Sequence, residues 1–369
     1  MCDTGTTVHR ITCAIRRDKN YDLTQLLSES GIQSLLIENG RIVRRRRYAR
    51  LFGLMGYTER LEDSPVDVYQ FNVAPAISET TLRGLVDTLQ LNRPGHGTVY
   101  VQACKTFLDS AGSSPPTDTG HHMPGLLQDL SVITCVMSMS GSGEELAKLA
   151  LEFGTGVPIV SFGLGTGLRD RLGLLRITVS AEKEIMRLLV PALDAEGVMR
   201  LLIEKGHLNR PGKGFIYCSP VLYGLLDTAL VVRPQDHTAT MSQVIAAIDE
   251  LKTNTAWRRY FSELAPGANL QLQLKQDIIT IVCREEVAGQ YVEAAMQAGA
   301  GAATNGHLQR VAFEETAGGA RERYTFVVRR SITEQVLEAL RETCDKTDAK
   351  LDCLEVQPVE FSYSYRAGR

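Results

Sequence analysis

LNRPGHGTVY at residues 91–100 returns as LNRPGKGFIY at residues 208–217, with seven of ten positions identical at an offset of 117. A decapeptide that recurs after a domain-length interval marks a duplicated unit. Its two glycines fall in a turn between a helix and a strand. There, with no Cβ in the way, backbone amides can approach an anion closely.

Working outward from the first copy, residues 9–15 read as a strand and residues 21–30 as a helix ending at Gly31. Residues 34–37 read as a second strand. A long basic loop follows over residues 40–65, then an alternating strand at 66–73 and a helix at 78–89 with Ser78 as its cap. The glycine turn and a strand at 98–103 complete a βαββαβ order, the ferredoxin-like arrangement. Around the second copy the same order reads as strand 132–137, helix 143–153, strand 157–162, a glycine-rich loop at 163–173, strand 174–179, helix 182–192 and strand 215–219. The first strands of both units share the triplet Ile-Thr-Cys. A fainter third unit runs through strand 277–283, helix 287–297, residues 302–306, strand 323–328, helix 333–343 and strand 350–356. CDKTDAKL, at residues 344–351, stands there in place of the glycine turn.

The reading is therefore α+β, with units at residues 7–108, 129–224 and 270–365. A Ser/Pro/Gly-rich linker at 109–128 and a connector at 225–269 separate them. The connector carries an amphipathic helix near residues 241–251 and the single tryptophan, Trp257.

Composition narrows the function. The 44% apolar content is that of soluble globular protein, and a net charge of −3 gives no overall pull toward nucleic acid or anionic membrane. The eight cysteines are scattered without a CxxC pair, which argues against a zinc cluster and for buried thiols in a reducing compartment. His121 and His122 lie together without further ligands near them, so no metal is expected. MCDTGTTVHR lacks the apolar core of a signal peptide, and no run of about 18 apolar residues exists to insert in a membrane. The expected location is the cytoplasm. No nucleophile elbow, zinc-protease helix, Walker loop or Rossmann fingerprint is present, so the chain is not expected to be an enzyme.

A βαββαβ unit with a loop after its second strand and a glycine turn before its last resembles the PII signal-transduction superfamily. The residues that carry the resemblance are Gly95-His96-Gly97-Thr98-Val99-Tyr100 and Gly212-Lys213-Gly214-Phe215-Ile216-Tyr217, which look like that family's phosphate loop. Asn39-Gly40-Arg41, Gly163-Leu164-Gly165-Thr166-Gly167 and Asn305-Gly306-His307 look like the base of its long mobile loop. Thr98 and Phe215 stand where the family has a lysine. Members are homotrimers that bind adenine nucleotides between subunits and signal to a transporter, enzyme or regulator. With three units in one chain, the resemblance implies a monomeric pseudo-trimer of three ferredoxin-like units. Its clefts are expected to bind ATP, ADP or AMP, or a similar anionic effector, and its mobile loops to signal to a protein target.

The expected ligand-binding residues are Arg93, Gly95, His96 and Gly97 in the first turn and Arg210, Gly212, Lys213 and Gly214 in the second. Gly165, Gly167 and Arg169 form a closing loop. The bland reading of the same glycines is a tight helix-to-strand turn with no ligand. Arg44, Arg45, Arg46 and Arg47 offer a docking surface for an acidic protein partner. With only Tyr48 and Phe52 beside them, stacking on nucleic-acid bases is not indicated. Two other function classes stay open: a ligand-free scaffold, and a small anion-handling transferase using the same cleft.

Overall fold

The computed structural model describes residues 5–32, 34–49, 57–108, 126–138, 141–153, 156–167, 182–227, 241–253, 255, 270–313, 319–346 and 350–365. Its strands are β1 (Thr6–Arg16), β2 (Ser34–Ala49), β3 (Tyr57–Val73), β4 (Gly97–Thr106), β5 (Leu127–Met137), β6 (Ile159–Gly167), β7 (Glu182–Pro191), β8 (Gly214–Leu225), β9 (Gln276–Cys283), β10 (Ala302–Ala312), β11 (Gly319–Arg329), β12 (Cys353–Val359) and β13 (Phe361–Ser364). The helices are α1 (Asn20–Glu29), α2 (Ser78–Thr88), α3 (Ser142–Phe153), α4 (Ala192–Lys205), α5 (Met241–Lys252), α6 (Glu285–Gln297) and α7 (Thr333–Lys346).

Period-two alternation gives each strand two different faces. In β1, Ile11, Cys13 and Ile15 pack with Leu23 and Leu27 of α1 and Leu82 and Leu85 of α2. Ile133, Cys135 and Met137 of β5 do the same with α3 and α4, and Ile279, Ile281 and Cys283 of β9 with α6 and α7. The helices present apolar residues at three- and four-residue spacing, leucines in α1, α2 and α7 and Ala288, Tyr291 and Ala295 in α6, so each buries one stripe. The intervening strand residues, Arg10 and Thr12 among them, turn to the opposite, inner face. Both are buried.

The expectation of three ferredoxin-like units arranged as a pseudo-trimer is overturned. All thirteen strands among the described residues belong to one sheet, in the order β10-β11-β9-β12-β4-β1-β3-β2-β6-β7-β5-β8-β13. Additional antiparallel pairings β2–β10, β6–β10 and β4–β8 close it into a β-barrel. The joints are backbone ladders: Ile37 opposite Gln309, Gly165 opposite Thr304, Tyr100 opposite Gly224. The physical reason is that a free sheet edge carries unpaired N–H and C=O groups, and closure satisfies them. Two glycines let the seams come together. A Cβ on Gly163 would overlap the Asn305 carbonyl oxygen of β10, and one on Gly224 would lie 2.7 Å from the Val99 carbonyl oxygen of β4.

Three local expectations also change. Residues 40–65, read as a loop, are largely strand: β2 and β3 pair with each other from Leu36–Gln70 out to Ala49–Tyr57. Residues 182–191, read as helix, are strand β7. Glu-Lys-Glu-Ile-Met-Arg-Leu-Leu has good helix formers, but pairing with β5 and β6 and burial on both faces override that propensity. The short strand β13, which pairs with β8, was not expected at all. The strand read at 174–179 and Trp257 lie outside the described residues.

Candidate functional site

Both decapeptides begin where a helix ends. Leu91 N donates to the Val86 carbonyl at 3.0 Å and Leu208 N to the Ile203 carbonyl at 2.9 Å, a wide C-terminal closure over one left-handed residue. That residue is Gln90 in one copy, with φ 53°, and His207 in the other, with φ 54°. The chain then folds back as His96 N reaches the Arg93 carbonyl at 3.2 Å and Lys213 N the Arg210 carbonyl at 3.4 Å. Gly95 and Gly212 take φ of 84° and 69° inside these turns. The second glycines answer to sterics: a Cβ on Gly97 or Gly214 would overlap the Ala14 or Val136 carbonyl oxygen of the adjacent strand.

The two turns differ in what meets them. The Gly95 amide donates to Asp227 Oδ1 at 2.7 Å, and Asp227 N donates to Thr98 Oγ1 at 3.1 Å. Asp227 is 3% exposed. Around this pair, Ala14, Ile42, Val66, Val157 and Ile159 leave a cavity of only about 10 Å³. A carboxylate of the chain itself therefore occupies the first turn. His96 sits beside it with Nδ1 3.3 Å from the Leu89 carbonyl, and Arg93 is exposed.

At the second turn Gly212 and Arg210 are exposed and Lys213 is half-buried. The Lys213 carbonyl accepts from Ser138 N at 3.0 Å, and Ser138 Oγ accepts from Lys183 Nζ at 3.0 Å. Lys183 lines a groove of about 410 Å³ with Phe162, Gly163, Leu164, Glu182, Glu184 and His307. Gly165 makes room for it, because a Cβ there would overlap the Lys183 side chain. Glu184 caps α3, accepting from Gly143 N at 2.5 Å, and lies 3.5 Å from Arg41 Nη2. Arg41 in turn lies over the Phe162 ring at 5.3 Å.

None of the expected site residues among those described lines this groove. Lys213 is linked to it only through Ser138 and Lys183, and Gly165 packs against the Lys183 side chain. Gly95, His96 and Gly97 line the filled cavity of the first turn. Gly167 pairs with Ala302 along the β6–β10 seam, and Arg169 lies outside the described residues. Arg44, Arg45, Arg46 and Arg47 fall opposite Glu62, Leu61, Arg60 and Glu59 in the β2–β3 ladder. His121 and His122 are outside the described residues. Among the described residues no group of three or more His, Cys, Asp or Glu could hold a metal ion, and no helix is long and apolar enough to cross a membrane.

Sequence reasoning missed Asp227 and Lys183. Lys183 was legible in principle, since reading residues 182–191 with a strand period puts alternate charges on one face. Asp227 carries no local signal.

The barrel interior is a second polar centre. Glu38 of β2 accepts from Arg187 of β7 at 3.2 Å and from Arg323 of β11 at 2.5 Å, and Arg323 Nη1 also donates to Gln70 at 2.7 Å. Arg10 Nη1 lies 3.4 Å from Glu355 Oε2, and Asn72 donates to the other Glu355 oxygen at 2.5 Å. These pairs join distant segments of the chain across the inside of the barrel.

No protein-family model matches the chain, and no curated protein matches it. Among solved structures, the chain is similar to the B. subtilis GlnK–ATP complex, a PII protein, at 15% identity and a TM-score of 0.22, over 26% of this chain and 84% of that one. A second B. subtilis GlnK structure gives 15% identity and a TM-score of 0.22, over 27% and 85%. The likeness is distant and confined to about a quarter of the chain.

Proposed function

We propose that the chain is a non-catalytic regulatory protein that binds a small anionic effector, an adenine nucleotide (ATP, ADP or AMP) or a similar anion, at its second glycine turn. The bond from the Gly95 amide to the Asp227 carboxylate carries the reading. It is an anionic oxygen held by this turn sequence, and the sister turn repeats Leu-Asn-Arg-Pro-Gly with its glycine exposed. Lys213 and Lys183 supply positive charge there. The adjoining groove of about 410 Å³ falls in the size range of small-molecule sites, with Phe162 and Leu164 as an apolar wall.

The groove's β6 wall is also a seam. Ser161 of β6 pairs with Gly40 at the root of the β2–β3 hairpin, where Arg44, Arg45, Arg46 and Arg47 form the proposed surface for a protein partner. An effector that binds two arrangements of this seam unequally shifts the population of the hairpin. The scaffold reading draws on the first turn, which the chain fills by itself.

Calorimetry of the full chain against ATP, ADP, AMP and cyclic AMP is the test. One saturable site is expected for at least one of them, without turnover, weakened about 10-fold or more in Lys213→Ala, equivalent to about 1.4 kcal/mol. Asp227→Ala is expected to leave the stoichiometry at one, because the cavity of about 10 Å³ at the first turn is too small for a nucleotide even without the carboxylate. Binding to none of the four favours the scaffold, and product formation favours the transferase.

A further inference from the structure

The barrel interior holds a partly open cavity of about 60 Å³ lined by Arg10, Arg187, Arg323, Ser219 and Gln357, among others. About 10–15 Å³ of such volume admits one water, so a halide with one or two waters fits and a nucleotide does not. Three guanidiniums face two carboxylates here, Glu38 and Glu355, which leaves one positive charge in excess. The other acidic groups at the cavity do not offset it. Burial pushes the Cys104 thiol, beside Arg10 and Gln357, up to about 12. Burial also raises the Tyr100 phenol. Both are neutral at pH 7.

Hydrogen bonding points the same way. Arg10 Nε, Ser219 Oγ and Gln357 Nε2 are sealed from solvent and have no hydrogen-bond partner among the described residues. Arg10, Ser219 and Gln357 are 9%, 2% and 6% exposed. The Cys104 sulphur is only a weak acceptor for its neighbours. Buried donors without acceptors are costly, and a buried unbalanced guanidinium more so. Glu355 Oε2 and Asn72 Oδ1, near Arg10, are acceptors that also lack a hydrogen-bond partner among the described residues. The positive charge in excess, rather than the unpaired donors alone, is therefore what a single anion offsets. Arg10, Ser219 and Gln357 all line the cavity that would hold it.

We infer that the barrel centre is a binding site for a small monovalent inorganic anion of chloride or bromide size, held by Arg10, Ser219 and Gln357. This site is separate from the effector groove and does not depend on that reading.

Crystals of the full chain grown in sodium bromide are expected to show an anomalous peak within the cavity. Water alone in the cavity, with bromide only on the outer surface, overturns the inference. In solution, the thermal midpoint is expected to be higher in sodium chloride than in sodium gluconate at equal ionic strength, because gluconate is too large to enter. Gln357→Leu removes a donor without touching the ion pairs, so it remains informative if Arg10→Gln fails to fold. It is expected to erase the chloride effect, and a chloride effect that survives it overturns the assignment to this cavity.

Discussion

A Glu38→Gln protein is expected to lose about 3–5 kcal/mol of unfolding free energy, read as a lower urea midpoint with an unchanged slope. Glutamine keeps the shape and one acceptor oxygen but removes the charge that opposes two buried guanidiniums. Arg187 and Arg323 approach Glu38 at 3.1 and 2.5 Å, and the carboxylate is 2% exposed. Breaking one partner of a buried pair is far more costly than replacing the whole pair, because the remaining charge stays out of water. Here two charges remain. A midpoint equal to that of the unaltered protein at neutral pH would count against this account.

The same carboxylate predicts an acid limb. Burial alone raises the Glu38 pKa. Arg187 and Arg323 outweigh it and hold the group at about 2. An unfolded glutamate titrates near about 4.3. The folded pKa therefore lies below the unfolded one, so this contribution is complete above about pH 4.3 and is lost as pH falls toward 2. In that window the stability of the unaltered protein is expected to approach that of Glu38→Gln, and the two curves to run parallel above it.

Why this network escaped the sequence follows from where its members lie. Glu38, Arg187 and Arg323 sit in three segments separated by more than a hundred residues each. Nothing in their local patterns links them. What was legible is local. The apolar stretch at residues 9–15 gave β1, the leucine spacing at Leu23, Leu26 and Leu27 gave α1, and the decapeptide gave both helix-to-strand turns in place. Edge pairing was not legible, because a strand's own residues fix its faces but not the edge it joins. Gly163 and Gly224 were visible as glycines. Only the facing carbonyls of Asn305 and Val99 explain them. The candidate site divided in the same way: Gly212 and Lys213 could be read from the turn, whereas the carboxylate that fills the sister turn could not.

Gly214→Ala is the second large effect expected, and it separates the backbone role of the duplicated turn from its ligand role. Gly214 adopts φ 142°, a conformation L-residues rarely take, and an alanine Cβ would overlap the Val136 carbonyl oxygen of β5. Residues forced into such regions cost about 1–3 kcal/mol before any clash is counted. Relief requires β8 to move off β5, whose ladder joins Met137 to Gly214 at this end. The strand also supports Ser138, whose amide holds the Lys213 carbonyl. Gly214→Ala is therefore expected to lower the urea midpoint and weaken effector binding together, whereas Lys213→Ala weakens binding alone. Gly197 in α4 supplies the opposite sign as a control. A Cβ there meets nothing within 4 Å, so Gly197→Ala is expected to stabilise by about 0.5–1 kcal/mol through helix propensity. If Gly214→Ala proved as benign as Gly197→Ala, the close approach of β8 to β5 would be refuted, and the glycine would have to be explained by a ligand instead.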